Sequence, residues 1–245
     1  MSSRNPFSTA DAKTAIEQVG VFVVKDADDR SSDAADREGK KVIGKGNRFA
    51  QFYNNGYPIR TPEGLEFVYK NTMGDEQIGS VIISIIEKPR WGYSRFFSTR
   101  LSADYAWFFA IRDKKKKHEA IHTLIVQFWM PGSRVTFYEG SHLQYFDAEQ
   151  DKDNFGVLNT PRAEMNRKGI VSNYVDMPNG GYTIIDSRLG WTYEGGEGFM
   201  NLGIAEDEEV RIWRPMEVPD TQAIRAKVAE LEGLGFRTKI SYVNK

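Results

Sequence analysis

Apolar and polar positions are most sharply patterned between residues 118 and 142. There Leu124 to Met130 and Val135 to Tyr138 form two long apolar runs around Met130-Pro131-Gly132-Ser133. The pattern predicts two strands joined by a tight turn. Upstream, Ala12, Ala15, Ile16 and Val19 recur at helical spacing behind Ser8 or Thr9 as cap, with Asp11 in the first turn, predicting a helix over 8–19. Gly20 stops it, and Val21 to Val24 reads as a buried strand. Thr61-Pro62-Glu63 opens a second helix that ends near Gly74. The β-branched run from Ile78 to Ile86 predicts a strand, as do Trp91 to Phe97 and Tyr105 to Phe109. Tyr182 to Asp186, Trp191 to Tyr193, Phe199 to Ile204 and Val210 to Trp213 complete the sheets, the last as a closing strand. Asp220 caps a final helix with Ile224, Val228 and Leu231 on one face, ended by Gly233 and Gly235.

The polar intervals divide these elements. Residues 26–41 are charged and 144–168 are rich in Asp, Asn and Arg; both read as loops, the second as a lid. Residues 42–57 are mixed, with turn signals at Gly44, Gly46 and Asn54-Asn55-Gly56. Many strands with a helix at each end predict a mainly β, α+β chain: a single barrel or sandwich domain over 1–245.

Composition narrows the chemistry. A net charge of -1 offers no field to draw in nucleic acid or an anionic membrane, so neither is expected as a partner. The four lysines at 114–117 read as an exposed hairpin tip, with a phosphate or RNA contact as the alternative. Zero cysteines exclude disulfides, thiolate metal sites and cysteine nucleophiles. The polar start and the lack of a long apolar run lead to the expectation of a cytoplasmic protein. No nucleophile elbow, P-loop or dinucleotide fingerprint occurs. Aromatic residues, 13% of the chain, gather in its middle.

Three segments in order carry a family resemblance: the helix, Gly20 and Val21 to Val24; the strand Leu124 to Met130, a turn and Gly140-Ser141-His142; and Gly180-Gly181-Tyr182-Thr183-Ile184-Ile185-Asp186-Ser187-Arg188. Together they resemble the double-stranded β-helix of the phytanoyl-CoA dioxygenase-like iron(II)/2-oxoglutarate oxygenases, over roughly two thirds of the chain. The resemblance implies a cupin-like barrel with flanking helices. It also implies a His-x-Asp or His-x-Glu pair, a distal histidine and an arginine for the oxoglutarate carboxylate. Here no histidine has a carboxylate two places on, Leu189-Gly190-Trp191 stands at the distal position, and Glu197 to Asn201 stands in place of the arginine. The expectation is therefore a scaffold with no cofactor; iron(II) and 2-oxoglutarate held by an unusual ligand set are the alternative. His118 and His122, four apart, would face together on a helix; on a strand they would lie about 13 Å apart, too far for one ion, and a histidine set with Glu139 is the remaining metal alternative.

Candidate catalytic residues are His142, Glu139, Asp186, Arg188 and Tyr138. Asp186 and Arg188 share a strand face, either as a rim ion pair or as a polar pair at a cavity mouth. Arg134, Thr136 and Tyr138 share one strand face and Val135, Phe137 and Glu139 the other, and one of these looks inward. Trp91, Tyr93, Phe97, Tyr105, Trp107, Arg134, Trp191 and Tyr193 are candidate substrate-binding residues, with plain core as the other reading. These observations lead to the expectation of a metal-independent enzyme taking an apolar, natural-product-like intermediate through a non-redox cyclisation, isomerisation or dehydration. The alternative is a non-catalytic subunit paired with an active oxygenase. A homo-oligomer is compatible with either.

Overall fold

A computed structural model describes residues 7–26, 44–56, 59–97, 101–113, 120–152 and 156–244. The four-lysine tip, His118 and most of the charged 26–41 interval lie outside these residues. Two sheets face each other. In spatial order the major sheet runs β1 (Val21–Lys25), β9 (Gly181–Asp186), β4 (Thr123–Trp129), β11 (Phe199–Ala205), β2 (Arg90–Phe97) and β13 (Arg237–Thr238). The minor sheet runs β6 (Glu149–Gln150), β7 (Leu158–Pro161), β3 (Tyr105–Phe108), β10 (Gly190–Gly195), β5 (Ser133–Glu139) and β8 (Val171–Met177). This is the cupin-like double-stranded β-helix.

Six helices occur among the described residues, and five of them supply buried side chains to the outer face of the major sheet. Ala12 and Ile16 of α1 (Thr9–Val19), Phe49 of α2 (Lys45–Asn54), Leu65 and Val68 of α3 (Pro62–Asn71), and Ile224 and Leu231 of α6 (Gln222–Gly233) join Leu124, Val126, Phe128 and Ile184 in one core. Burial of that many aliphatic side chains, at roughly 1.5–3 kcal/mol each, outweighs the modest helical preference of any one segment. No helix among the described residues is long and apolar enough to cross a membrane.

Several expected elements differ. The Ile78–Ile86 run is not a strand but the core of helix α4 (Glu76–Ile85). The Asp75 carboxylate caps it by accepting from the Ile78 amide at 3.0 Å. Ile78, Val81 and Ile82 are buried at helical spacing while Ile83 is 55% exposed, so amphipathic packing overrides β-branched propensity. Residues 210–213 belong mainly to α5 (Asp207–Ile212), whose first turn carries Asp207, Glu208 and Glu209 against the dipole's positive end. The turn-like 42–57 interval contains α2. Its first amides, at Lys45 and Gly46, donate to the Asp26 carboxylate at 3.0 and 2.7 Å, a capping contact contributed from a distant loop. Thr221, not Asp220, caps α6. A small parallel sheet of β12 (Met216–Pro219) and β14 (Ile240–Val243) closes the C-terminal region.

The 144–168 interval is built into the barrel. It supplies β6, β7 and a short 3-10 turn over Arg162–Met165, and Phe146 and Met165 cover the outer side of Tyr138 and Phe108.

Candidate functional site

Inside the barrel the register stacks side chains in three layers. Tyr93, Gly203, Ile125 and Ile185 are cross-strand neighbours nearest one mouth. Arg95, Asn201, Gln127 and Thr183 form the next row, and Phe97, Phe199, Trp129 and Gly181 the third. The apolar layers meet Val135, Phe137, Trp191 and Tyr193 from the minor sheet. Trp129 stacks on Phe199 at 4.5 Å and Phe199 on Phe97 at 5.1 Å, so the deep end of the barrel is filled by its own rings.

The mouth is open. A cavity of about 310 Å³ is walled by Tyr93, Phe109, Ile125, Trp213, Ser187 and Glu209. Three chain ends are tied together there. The Phe109 and Ala110 amides donate to the Ser187 carbonyl at 3.0 and 2.9 Å, and the Ser187 amide donates to the Thr123 carbonyl at 3.2 Å. Gly92 and Gly203 leave room for the Trp213 indole, since a Cβ at either position would come within 3.3 Å of the ring. A wider cleft of about 680 Å³, with Phe49, Phe52, Tyr53 and Phe96 on its walls, lies on the outer face of the major sheet.

The expected site residues fall into separate places. Tyr93 reaches the cavity. Phe97, Trp107, Trp191 and Tyr193 point inward as core. Trp91 does not join them, because a bulge opposite Gly203 and Ile204 turns it to the outer face, where it stacks on Phe236. Tyr105 and Arg134 are exposed. On β5 the inward face is that of Val135 and Phe137, so Tyr138 points outward. Thr192 donates to the Tyr105 carbonyl at 2.8 Å and therefore receives the Tyr138 hydroxyl at 3.0 Å. Burial pushes the Tyr138 phenol up, against the pull of Thr192 and Arg162. Glu139 accepts from Asn173 at 2.6 Å at the edge of the minor sheet.

His142, Asp186 and Arg188 do come together, but away from the cavity wall. Arg188 donates from Nε and Nη2 to the two Asp186 carboxylate oxygens at 2.9 and 2.6 Å, and its amide donates to Asp186 Oδ1 at 2.9 Å. His142 is 1% exposed beside Gly20. Burial holds its imidazole below the ordinary histidine range, while the Asp186 charge and the Glu17 carbonyl pull the other way. Phe109, Ile125, Ser187, Glu209 and Trp213 were not foreseen as site residues. Period-two alternation could have found Ile125; reading 210–213 as a strand hid Glu209 and Trp213.

The resemblance implies iron ligands that the donors present do not supply. Of the Leu189-Gly190-Trp191 stretch that stands at the distal-histidine position, Leu189 and Trp191 have their side chains in the core, and His122 is paired with Glu206 at 2.8 Å. Among the described residues no three His, Cys, Asp or Glu side chains gather as a metal-binding group. The donor set among the described residues does not fit iron.

No family model matches the sequence, and no curated relative does. Solved structures share its fold. Apo HygX from Streptomyces hygroscopicus superposes with a TM-score of 0.51 at 10% identity, over 89% of this chain and 94% of that one. HygX with iron bound gives 0.51 at 10% identity, over 97% and 98%. SnoK, a non-heme alpha-ketoglutarate-dependent carbocyclase from nogalamycin biosynthesis, gives 0.48 at 10% identity, over 86% and 95%. The likeness is one of fold: the chain shares the architecture of HygX. The expectation of a cofactor-free scaffold is not supported, because HygX, which shares this fold, has been solved with iron bound.

Proposed function

We propose that this chain is a small-molecule enzyme of the oxygenase fold, on its phytanoyl-CoA dioxygenase-like branch, that holds an apolar biosynthetic intermediate at the barrel mouth. The supporting observation is the 310 Å³ cavity, whose walls among the described residues are aromatic, with one carboxylate, Glu209, and one arginine, Arg214. Its size suits a compact apolar ligand. A cyclisation, isomerisation or dehydration needs a proton moved between ligand atoms and no net oxidant. Glu209 takes that proton from one ligand atom and returns it to another, or to the departing hydroxyl in a dehydration, while the Ser187 and Thr123 side chains orient the polar end. The faces of Tyr93, Phe109 and Trp213 favour developing cation character.

Titration calorimetry with 2-(1-naphthyl)ethanol, a neutral apolar probe, tests the cavity. Wild-type protein should bind it, and Ala110→Trp, which fills the wall beside Phe109, should weaken binding at least tenfold. Absence of binding, or binding indifferent to Ala110→Trp, would remove the reading. A second reading, a non-catalytic partner of an active oxygenase, is favoured by one observation: the deep barrel is filled by Trp129, Trp191, Phe199 and Phe97. Co-elution in a stable complex with an active oxygenase of the same fold would support it.

A further inference from the structure

Four carboxylates follow one another where α5 begins, Glu206, Asp207, Glu208 and Glu209, and their surroundings differ. Glu206 pairs with His122 at 2.8 Å. Asp207 is held by Arg90 at 3.0 Å and also by Arg237. Glu208 is exposed. Glu209 lines the mouth cavity, where no cation pairs with it among the described residues. Two cations close to α5 are engaged elsewhere. Lys239 Nζ donates to the Val210 and Arg211 carbonyls at 2.7 and 2.5 Å. Arg214, on the same cavity wall, donates to Glu217 at 2.7 Å and its side chain is 76% exposed, so its charge is met by a partner and screened by water.

The remaining walls of this cavity favour positive charge as well. Tyr93 and Phe109 meet edge to face with ring centres 6.1 Å apart, and Trp213 sits in the notch left by Gly92 and Gly203. The face of an aromatic ring is the negative end of its quadrupole, and it attracts a cation within about 6 Å of the ring centre. A sphere of 310 Å³ is about 8 Å across, so a group at its centre would lie about 4 Å from the walls, inside that range. The Ser187 and Thr123 hydroxyls on the same wall can accept a hydrogen bond from an N–H donor.

We infer that the ligand of the cavity is an apolar amine, its ammonium received by the Glu209 carboxylate and the rings of Tyr93, Phe109 and Trp213, with its apolar body against Ile125. All five residues line the one cavity, so a single compact molecule reaches them together. An ammonium has only donors and matches a carboxylate, which has only acceptors. Each carboxylate oxygen accepts separately, so Glu209 can hold the ammonium at one and take up the transferred proton at the other. The inference rests on the cavity reading above and names the ligand class.

Calorimetry on the full chain tests it with three probes of one shape: 2-(1-naphthyl)ethylamine, 2-(1-naphthyl)ethanol and 1-naphthylacetate. At pH 7 the amine is protonated, as the lysine side chain is. It should bind at least tenfold tighter than the alcohol. Glu209→Gln should bring the amine down to the alcohol's affinity while leaving the alcohol unchanged, a control that reports the fold of the variant. An amine that binds no tighter than the alcohol would overturn the ammonium assignment and leave the cavity standing. A preference for the amine that survives Glu209→Gln would take the ammonium away from Glu209 and overturn the site as built. Binding of 1-naphthylacetate tighter than that of the amine would give the charge of the site to Arg214 and overturn the amine class. Binding of none of the three would overturn both the amine and the cavity reading.

Discussion

His142 and Glu17, 125 residues apart in sequence, meet where His142 Nε2 donates to the Glu17 carbonyl at 3.2 Å. A carbonyl can only accept, so the proton of the neutral ring is on Nε2. Nδ1 then faces the Gly20 backbone with no donor to meet it among the described residues. The histidine ties the last turn of α1 to the end of β5 as a neutral base in a buried site.

That neutrality has a pH consequence. Burial lowers the folded-state value below the ordinary 6.5 of the unfolded chain. Between the two values the unfolded state binds the proton and the folded state does not. The stability linked to His142 is therefore whole above pH 6.5 and is lost as pH falls through the depressed folded value. Urea melts at pH 7.5 and 5.5 should show wild type losing more stability on acidification than His142→Gln. Equal losses would mean that the ring does not titrate with folding.

Gly20 is required twice beneath that ring. Its φ of 92° ends α1 in the left-handed region, and a Cβ there would come within 2.6 Å of Leu189 and 2.7 Å of His142 Nδ1. Gly20→Ala should destabilise by about 2 kcal/mol, roughly half from the backbone and the rest from the displaced ring. Thermal melts would register this as a drop of several degrees; an unchanged melting temperature would refute it.

The same neighbourhood shows what sequence pattern can and cannot supply. Gly20, the strand after it and the Gly181–Asp186 strand were legible because each is one local signal: a stop, an apolar run, a glycine-led strand. The β-branched run at 78–86 misled because whether isoleucines face one side of a helix or both sides of a strand is decided by what they pack against. On β5, alternation separated Val135 and Phe137 from Arg134, Thr136 and Tyr138. It could not say which set looked inward, since Phe146 and Met165 bury the outer face as well. The cavity joins β2, β4, the segment after β3 and the α5 region, and no spacing along one segment encodes that meeting.

Arg188 and Asp186 are both buried, and each satisfies the other. Arg188→Met would leave a carboxylate in the protein interior without its guanidinium, keeping only the backbone amide bond. Breaking a buried pair from one side costs about 3–5 kcal/mol. Chemical denaturation of the variant beside wild type at pH 7 would measure this; a loss under 1 kcal/mol would show that the pair is solvated.

Asp75 does two jobs that substitution can separate. One oxygen caps α4 through the Ile78 amide, and the other accepts from Lys45 Nζ at 2.7 Å, joining α4 to α2. The lysine side chain is only 3% exposed, so the carboxylate neutralises a charge held away from water. Asp75→Asn can keep the cap through its amide oxygen while removing the negative charge; Asp75→Ala removes both. The cap is worth about 1 kcal/mol, and the charge more, because an ammonium without its carboxylate in a dry site is costly. Both variants should be destabilised, with Asp75→Ala worse by about the value of the cap. The double variant Lys45→Met, Asp75→Asn should recover most of the charge penalty. A double-mutant cycle by urea denaturation reads the coupling directly, and a coupling near zero would mean that α2 and α4 are held together by their apolar faces alone.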